Sequence, residues 1–407
     1  MCTPEWAHSR VMLASTRIGA LSVILLLAAC RVPAPGIAVN ADRVRAITQA
    51  IAELRQRDFA TPPRVEVLDR DAMAAAVTRV RARDESLRIL RVRSIVDRAF
   101  GDPWTTDPLG AVRKLPTDNS FGVYSPSDDT LFLSRARLET PVVPDLGEFL
   151  RDGQTLADVV IIHELAHAWQ HRHFPALFAP SDDIDRWETQ HALIEGDAEV
   201  TTVALLQHGV DERALDSYQQ LRQRMATTAG QEPARNRDWQ FRYACTPRYL
   251  AGIVRSGGWK TLNELLDRPP RATGALLEPD AWSAAAADDP PFACPEGWDR
   301  AVDTRIGAFQ IPPLLRMLPK TMLGAAGWRA DRLQVCVRGE DVRWRWTTHW
   351  RSEATARDFA AAARAHLQRQ HPAVHLSDGD AIHISPLSWL ERRGRTVVVA
   401  DGRAAAS

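Results

Sequence analysis

Residues His163 to His167 read His-Glu-Leu-Ala-His. On an α-helix His163 and His167 stand one turn apart, about 40° round and about 6 Å along the axis. Both imidazoles then reach one metal ion. Glu164 falls about 100° from His163, so it need not ligate and can serve water at the ion instead. Two histidine ligands and a carboxylate base are what a hydrolytic zinc helix requires. Zinc also needs a third protein ligand and an open fourth position. The segment Ala192–Val200, ALIEGDAEV, supplies Glu195 for that role on a following helix. Glu199, one turn beyond Glu195, can accept the proton on the far nitrogen of a ligand histidine and so fix its tautomer. Gly196 costs about 1 kcal/mol in a helix interior, which a close approach of this helix to the metal helix would justify. His171 and His173 suit a helix end, where cations favour the dipole; extra ligation is their other use. His191 and His208 read as structural or exposed.

The elements that must position these residues are legible in outline. Thr155 and Asp158 have the form of a capping box, so the metal helix starts about eight residues before His163. Ile161, Ile162, Leu165, Ala168 and Trp169 lie off the ligand stripe and predict a buried face. Phe121–Ser134 reads as a hairpin, GVY and TLFL around the turn SPSDD. Asp182–His208 predicts a second long helix and 211–228 another. Upstream, Ala41–Phe59 places Val44, Ile47, Ile51 and Leu54 on one helical face, and Arg64–Asp69 alternates as a strand. Residues 71–100 have helical spacing, with Asp71 as N-cap and an end near Gly101. Gly257–Trp259 and Arg268–Gly274 punctuate the next region. Towards the C-terminus, RLQVCVRG, DVRWRWTTHW and RTVVVADG are strand-like and SEATARDFAAAARAHLQRQ is helical. The fold class is α+β and mostly helical: a metal-helix domain with a strand pair over 41–300, then a small α+β module over 301–407.

Lys+Arg and Asp+Glu both number 51, giving a net charge of +0. No basic stripe or phosphate loop points to nucleic acid. The apolar run Ile18–Ala29, preceded by Arg10 and Arg17, is too short to span a bilayer and suits a signal-peptide core. Translation starts at Met1 or Met12. Of 5 cysteines, Cys245, Cys294 and Cys336 remain once Cys2 and Cys30 are set aside. They allow one bridge and one free thiol in an exported protein, with the pair left open.

Two resemblances sharpen this reading. LAAC, Leu27–Cys30, resembles the lipobox of bacterial lipoproteins. That implies removal of residues 1–29, a lipidated Cys30 and a tether over 30–40. Arg31, where an Asp would signal inner-membrane retention, implies an outer-membrane anchor facing the periplasm. HELAHAWQHRHF with ALIEGDAE resembles a group of uncharacterised bacterial HExxH proteins of gluzincin, thermolysin-like type. GVYSPSDDTLFL, Tyr249–Trp282, GWRADRLQV and WRSEATARDFAAAA extend the likeness over roughly residues 45–402. ATG replaces their usual Ser-Thr-Glu element, and Glu278 replaces a usual histidine. Those departures leave the metal site intact and put substrate contacts in doubt. The resemblance implies a zinc metallopeptidase acting on peptides or proteins, with His163, His167 and Glu195 as ligands and Glu164 as base. Tyr249, in the YLAG stretch, is the expected oxyanion donor, with Tyr243 second; a buried tyrosine with a satisfied hydroxyl is the plainer role for either. The alternative is a non-catalytic zincin-fold binding or scaffold lipoprotein, against which the presence of Glu164 argues. A structural zinc site is disfavoured because it usually takes four protein ligands.

Overall fold

A computed structural model describes residues 39–59, 61–83, 86–101, 110, 120–139, 150, 154–228, 237–279, 292–315, 325–372, 380–385 and 388–403. The signal-like run, Cys30 and the tether up to residue 38 lie outside the described residues. The fold is α+β and mostly helical.

Helix α1 is Ala41–Arg55. Asn40 caps its start, and Gln56, at φ 54, closes it before Phe59. Strand β1 is Arg64–Leu68. The helical stretch expected over 71–100 is two helices, α2 (Arg70–Arg83) and α3 (Ser86–Ala99). Asp71 lies in the first turn of α2, and the capping contact comes from Asp69 Oδ1, which accepts from Ala72 N at 2.9 Å. Strands β2 (Gly122–Ser125) and β3 (Thr130–Ser134) form the hairpin. β3 also pairs in parallel with β1, so the order is β1-β3-β2 with β2 on an edge. Side chains alternate across a strand. Phe132 therefore faces Met73 and Val77 of α2, while Leu131 and Leu133 join the first core.

That first core is built on α4 (Leu156–His173), capped by the Thr155–Asp158 box. Ile161, Ile162, Leu165, Ala168 and Trp169 are all buried in it. Across α4 lies α5, Ile184–Gln207, started by Asp183 and ended by His208 at φ 58. Helix α6 (Glu212–Thr228) follows. A π-helical turn, Gln240–Cys245, then runs into α7 (Thr246–Asp267). The Gly257–Trp259 stretch does not end α7: Gly258, at φ 74, bends it and the helix resumes. Gly196 is explained by a close approach of α7 rather than of α4, because a Cβ there would stand 2.7 Å from Thr246 Cγ2.

The second core lies under a six-stranded antiparallel sheet of order β4-β5-β6-β9-β8-β7. Its strands are β4 (Asp299–Thr304), β5 (Trp328–Arg338), β6 (Asp341–Trp350), β7 (Ala381–Ser385), β8 (Ser388–Arg393) and β9 (Thr396–Arg403). Helices α8 (Gly307–Leu314) and α9 (Glu353–Gln370) cover its apolar face. So does α3 from the N-terminal part: Phe100 stacks on Trp344 at 4.8 Å, and Trp344 Nε1 donates to Ala99 O at 2.9 Å. The other face is strapped by residues 292–298. Cys294 is bonded to Cys336, so Cys245 lies outside the bridge, and Arg343 lies 4.5 Å over Trp298.

The two cores meet at the start of α5. Ile184 N donates to Thr304 Oγ1 at 3.0 Å and Asp185 N to Arg305 O at 3.1 Å. Asp185 is fully buried and accepts from Thr273 N and Oγ1 at 2.8 and 2.6 Å. Gly307, at φ 78, packs so close to Asp185 that any side chain there would collide with its carboxylate.

Candidate metal centre

Helix α4 brings His163 and His167 to one side, and α5 crosses opposite them with Glu195. One donor atom from each falls within 4.8 Å of the other two. The two Nε2 atoms stand 3.1 Å apart, and Glu195 Oε2 lies 3.3 Å from His163 Nε2 and 3.7 Å from His167 Nε2. Donors about 2.0–2.1 Å from a tetrahedral zinc stand about 3.3 Å from one another. The triangle has that size. Glu195 Oε2 is buried and lacks an aligned hydrogen-bond partner, although two imidazoles stand near it. The donor set therefore fits zinc both in spacing and in the lone pairs it leaves pointing inward.

Charge reinforces this. Burial alone would raise the Glu195 carboxyl, but His163 and His167 beside it hold it well below the ordinary range. Burial pulls the His167 imidazolium down, and Glu195 more than offsets it, carrying it up to about 9. Metal must displace that proton, as histidine ligands require.

Each histidine is also held from behind. His163 Nδ1 faces Glu199 Oε1 at 3.3 Å, and the same oxygen pairs with Arg222 of α6 at 2.9 Å. These are ion-pair approaches rather than aligned hydrogen bonds. His167 Nδ1 meets Gln170 Oε1 at 2.9 Å. Glu164, 8% exposed, takes a different partner: its Oε2 accepts from Tyr124 N of β2 at 2.9 Å. The strand comes that near only because residue 122 is glycine. A Cβ there would stand 2.9 Å from both Glu164 Cγ and Val160 Cγ1.

The remaining expected residues divide. His171 Nδ1 is 3.4 Å from Tyr124 Oη and His173 Nε2 is 2.7 Å from Asp58 O, so both are engaged at the helix end. His191 lies 3.9 Å from Trp187, and burial, helped by Arg242, pushes its imidazole down to about 3. Tyr249 packs, partly buried, against the first core. Tyr243, the second choice, sits in the π-turn with Arg222 5.2 Å over its ring. Burial and the Glu195 charge push its hydroxyl well above the ordinary range. Glu278 accepts from Gly327 N at 3.2 Å and pairs with Arg351. Gln170, Arg222 and Gly122 were not singled out from sequence. Only Gln170 had a local signal, lying one turn beyond His167. The groove bounded by Ile47, Ile162, Val254 and Trp259 holds none of the donors.

Comparison with known proteins adds one match. Residues 300–407 match the model of a domain of unknown function, DUF8575. No curated protein and no solved structure matches the chain.

Proposed function

We propose that this chain is a zinc-dependent metallopeptidase of gluzincin type. The observation that carries the proposal is the donor triangle of His163, His167 and Glu195, sized for one tetrahedral ion. Zinc, when bound, supplies Lewis acidity and water acidified towards a pKa of about 7. The chain's residues do the rest. Glu164 accepts the proton of the attacking water and passes it to the leaving amine. Its anchor on Tyr124 N keeps the carboxylate at the rim of the site. The edge of β2 offers backbone groups along which an extended peptide can lie. Tyr243, beside Glu195 and Arg222, is better placed than Tyr249 to donate to a developing oxyanion. Lipidated at Cys30, the enzyme would work on envelope peptides or proteins from the outer membrane. Among the described residues no helix is long and apolar enough to cross a membrane.

The test joins metal content to cleavage of a mixed peptide library read by mass spectrometry. The expected result is about one zinc per chain and cleavage reduced about 10²–10⁴-fold in Glu164→Gln with zinc retained. Zinc without Glu164-dependent cleavage would favour the binding or scaffold reading. Absence of zinc would remove both.

A further inference from the structure

Behind His167 a run of buried polar groups leads away from the donors and ends on α1, the first helix of the described residues. Gln170 uses both amide hydrogens: Nε2 donates to Ile194 O at 2.9 Å and to Asp197 Oδ2 at 2.8 Å. Neither acceptor can donate in return, so the amide has one orientation. Its oxygen must then face His167 Nδ1, and an amide oxygen only accepts. Nδ1 therefore carries the proton, and Nε2 keeps its lone pair for the ion.

Asp197 is itself fixed. Arg55 NH1 donates to its Oδ1 at 2.8 Å and its Oδ2 at 2.9 Å, and reaches Thr201 Oγ1 at 3.1 Å. Arg55 Nε and NH2 both donate to Asn263 Oδ1, at 3.1 and 2.7 Å, and Asn263 Nδ2 returns a bond to Arg55 O at 3.0 Å. The guanidinium lies 4.2 Å from the Trp169 ring and 5.1 Å from that of Trp259. Both charged side chains are 0% exposed. A buried ion pair adds little net stability against an apolar pair of the same shape. This one has a directional effect instead.

We infer that Arg55, acting through Asp197 and Gln170, is a positioning residue for the metal centre: it sets the His167 tautomer that leaves Nε2 open to a metal ion. The inference rests on the reading of His167 as a metal ligand. It makes α1 part of the site, although no atom of α1 is among the donors. Ordinary hydrogen bonding around a core would not predict that a change at Asp197 alters metal uptake. The relay does. In Asp197→Asn, Arg55 claims the amide oxygen and the asparagine NH₂ turns to Gln170. Ile194 O alone then holds the Gln170 amide against that donor, and its grip on the His167 tautomer loosens.

The experiment uses the full chain, with zinc affinity measured by chelator competition and the His167 Nδ1 proton followed as a slowly exchanging imidazole N–H resonance. Asp197→Asn should lower zinc affinity by about tenfold to a hundredfold, the usual effect of losing a group that orients a ligand, and should abolish the resonance. Gln170→Met leaves the Arg55–Asp197 pair whole and should do the same, which keeps the test decisive if Asp197→Asn does not fold. Arg55→Lys keeps charge without the fork and should fall between these and the unaltered protein. Unchanged zinc affinity and an unchanged resonance in folded Asp197→Asn, or in Gln170→Met, would overturn the inference. If the unaltered chain took up no zinc, the metal reading would fall and the inference with it. Normal zinc uptake by the unaltered chain and equally by folded Gln170→Met would sink the inference alone.

Discussion

Arg55, Asp197, Glu188 and Glu199 are closed off from solvent in the helical half, each opposite a charged partner. Under the large sheet the interior is filled instead by Phe100, Trp344, Trp346, Trp350 and Phe359. The buried carboxylates there, Asp331 and Asp401, accept mostly from backbone, hydroxyl and ring donors: Ile306 N at 2.8 Å, Trp346 Nε1 at 2.8 Å, His371 Nε2 at 2.9 Å and the Ser388 hydroxyl. Buried charge is expensive and gains little stability even when paired, whereas apolar area removed from water contributes about 25 cal/mol per Å². The two cores therefore divide the work. One tolerates charges that aim side chains; the other supplies packing.

The sharpest way to break that division is a cavity in the apolar core. Phe359, 1% exposed, lies 5.3 Å from Trp346 and 4.9 Å from Trp350. Phe359→Ala should cost about 3–5 kcal/mol in urea unfolding while zinc affinity stays put. A parallel fall in zinc affinity would mean that the two cores are one unit. Next in size is the strap on the sheet's far face. The Cys294–Cys336 bond closes a separation of 42 residues, so replacing both cysteines with alanine should cost roughly 2–4 kcal/mol. Thermal melts would read that loss, and peptide cleavage should be unchanged at temperatures where the variant stays folded.

The helical half was easier to read in sequence where its logic is local. Helix α4 with its histidine pair, its capping box and Glu195 with Glu199 follow from the 3.6-residue period, which carries over into three dimensions without knowledge of the fold. Arg55 does not, because its partner Asp197 is 142 residues away and nothing in the α1 pattern marks one arginine among several. Gly122 reads as an ordinary strand glycine until α4 is seen against it. In the sheet half, the long strands β5 and β6 and the end strand β9 show clear alternation. β4, DRAVDT, is short, charged and largely exposed at an edge, so it carries little apolar signal. β7 and β8 were likewise too short to stand out. The π-turn at Gln240–Cys245 has no sequence signature at all, since it differs from α-helix only in which carbonyl each N–H meets.

The last expected effect sits at the joint and depends on pH. Burial is the main reason that the Asp185 carboxyl is pushed up to about 7, with Asp183 adding to it and Arg305 opposing. An unfolded aspartate titrates near 3.9. The folded chain thus holds this proton more tightly, so the contribution is complete below about pH 4 and is lost as pH rises towards 7. Between those values stability should fall by up to about 1.4 kcal/mol per pH unit on this account. Comparing unfolding free energies of the native protein and Asp185→Asn across pH 4–8 isolates it. A slope that persists unchanged in the variant would place the titration elsewhere.

The family model that matches covers residues 300–407. In this chain Thr304 and Arg305 of that unit seat the first backbone amides of the helix that carries Glu195. The edge of that match, near residue 300, is thus not a mechanical seam. A chain given a different C-terminal unit would have to rebuild that seat before Glu195 could again stand opposite His163 and His167. The C-terminal unit and the candidate site are tied together at a handful of atoms.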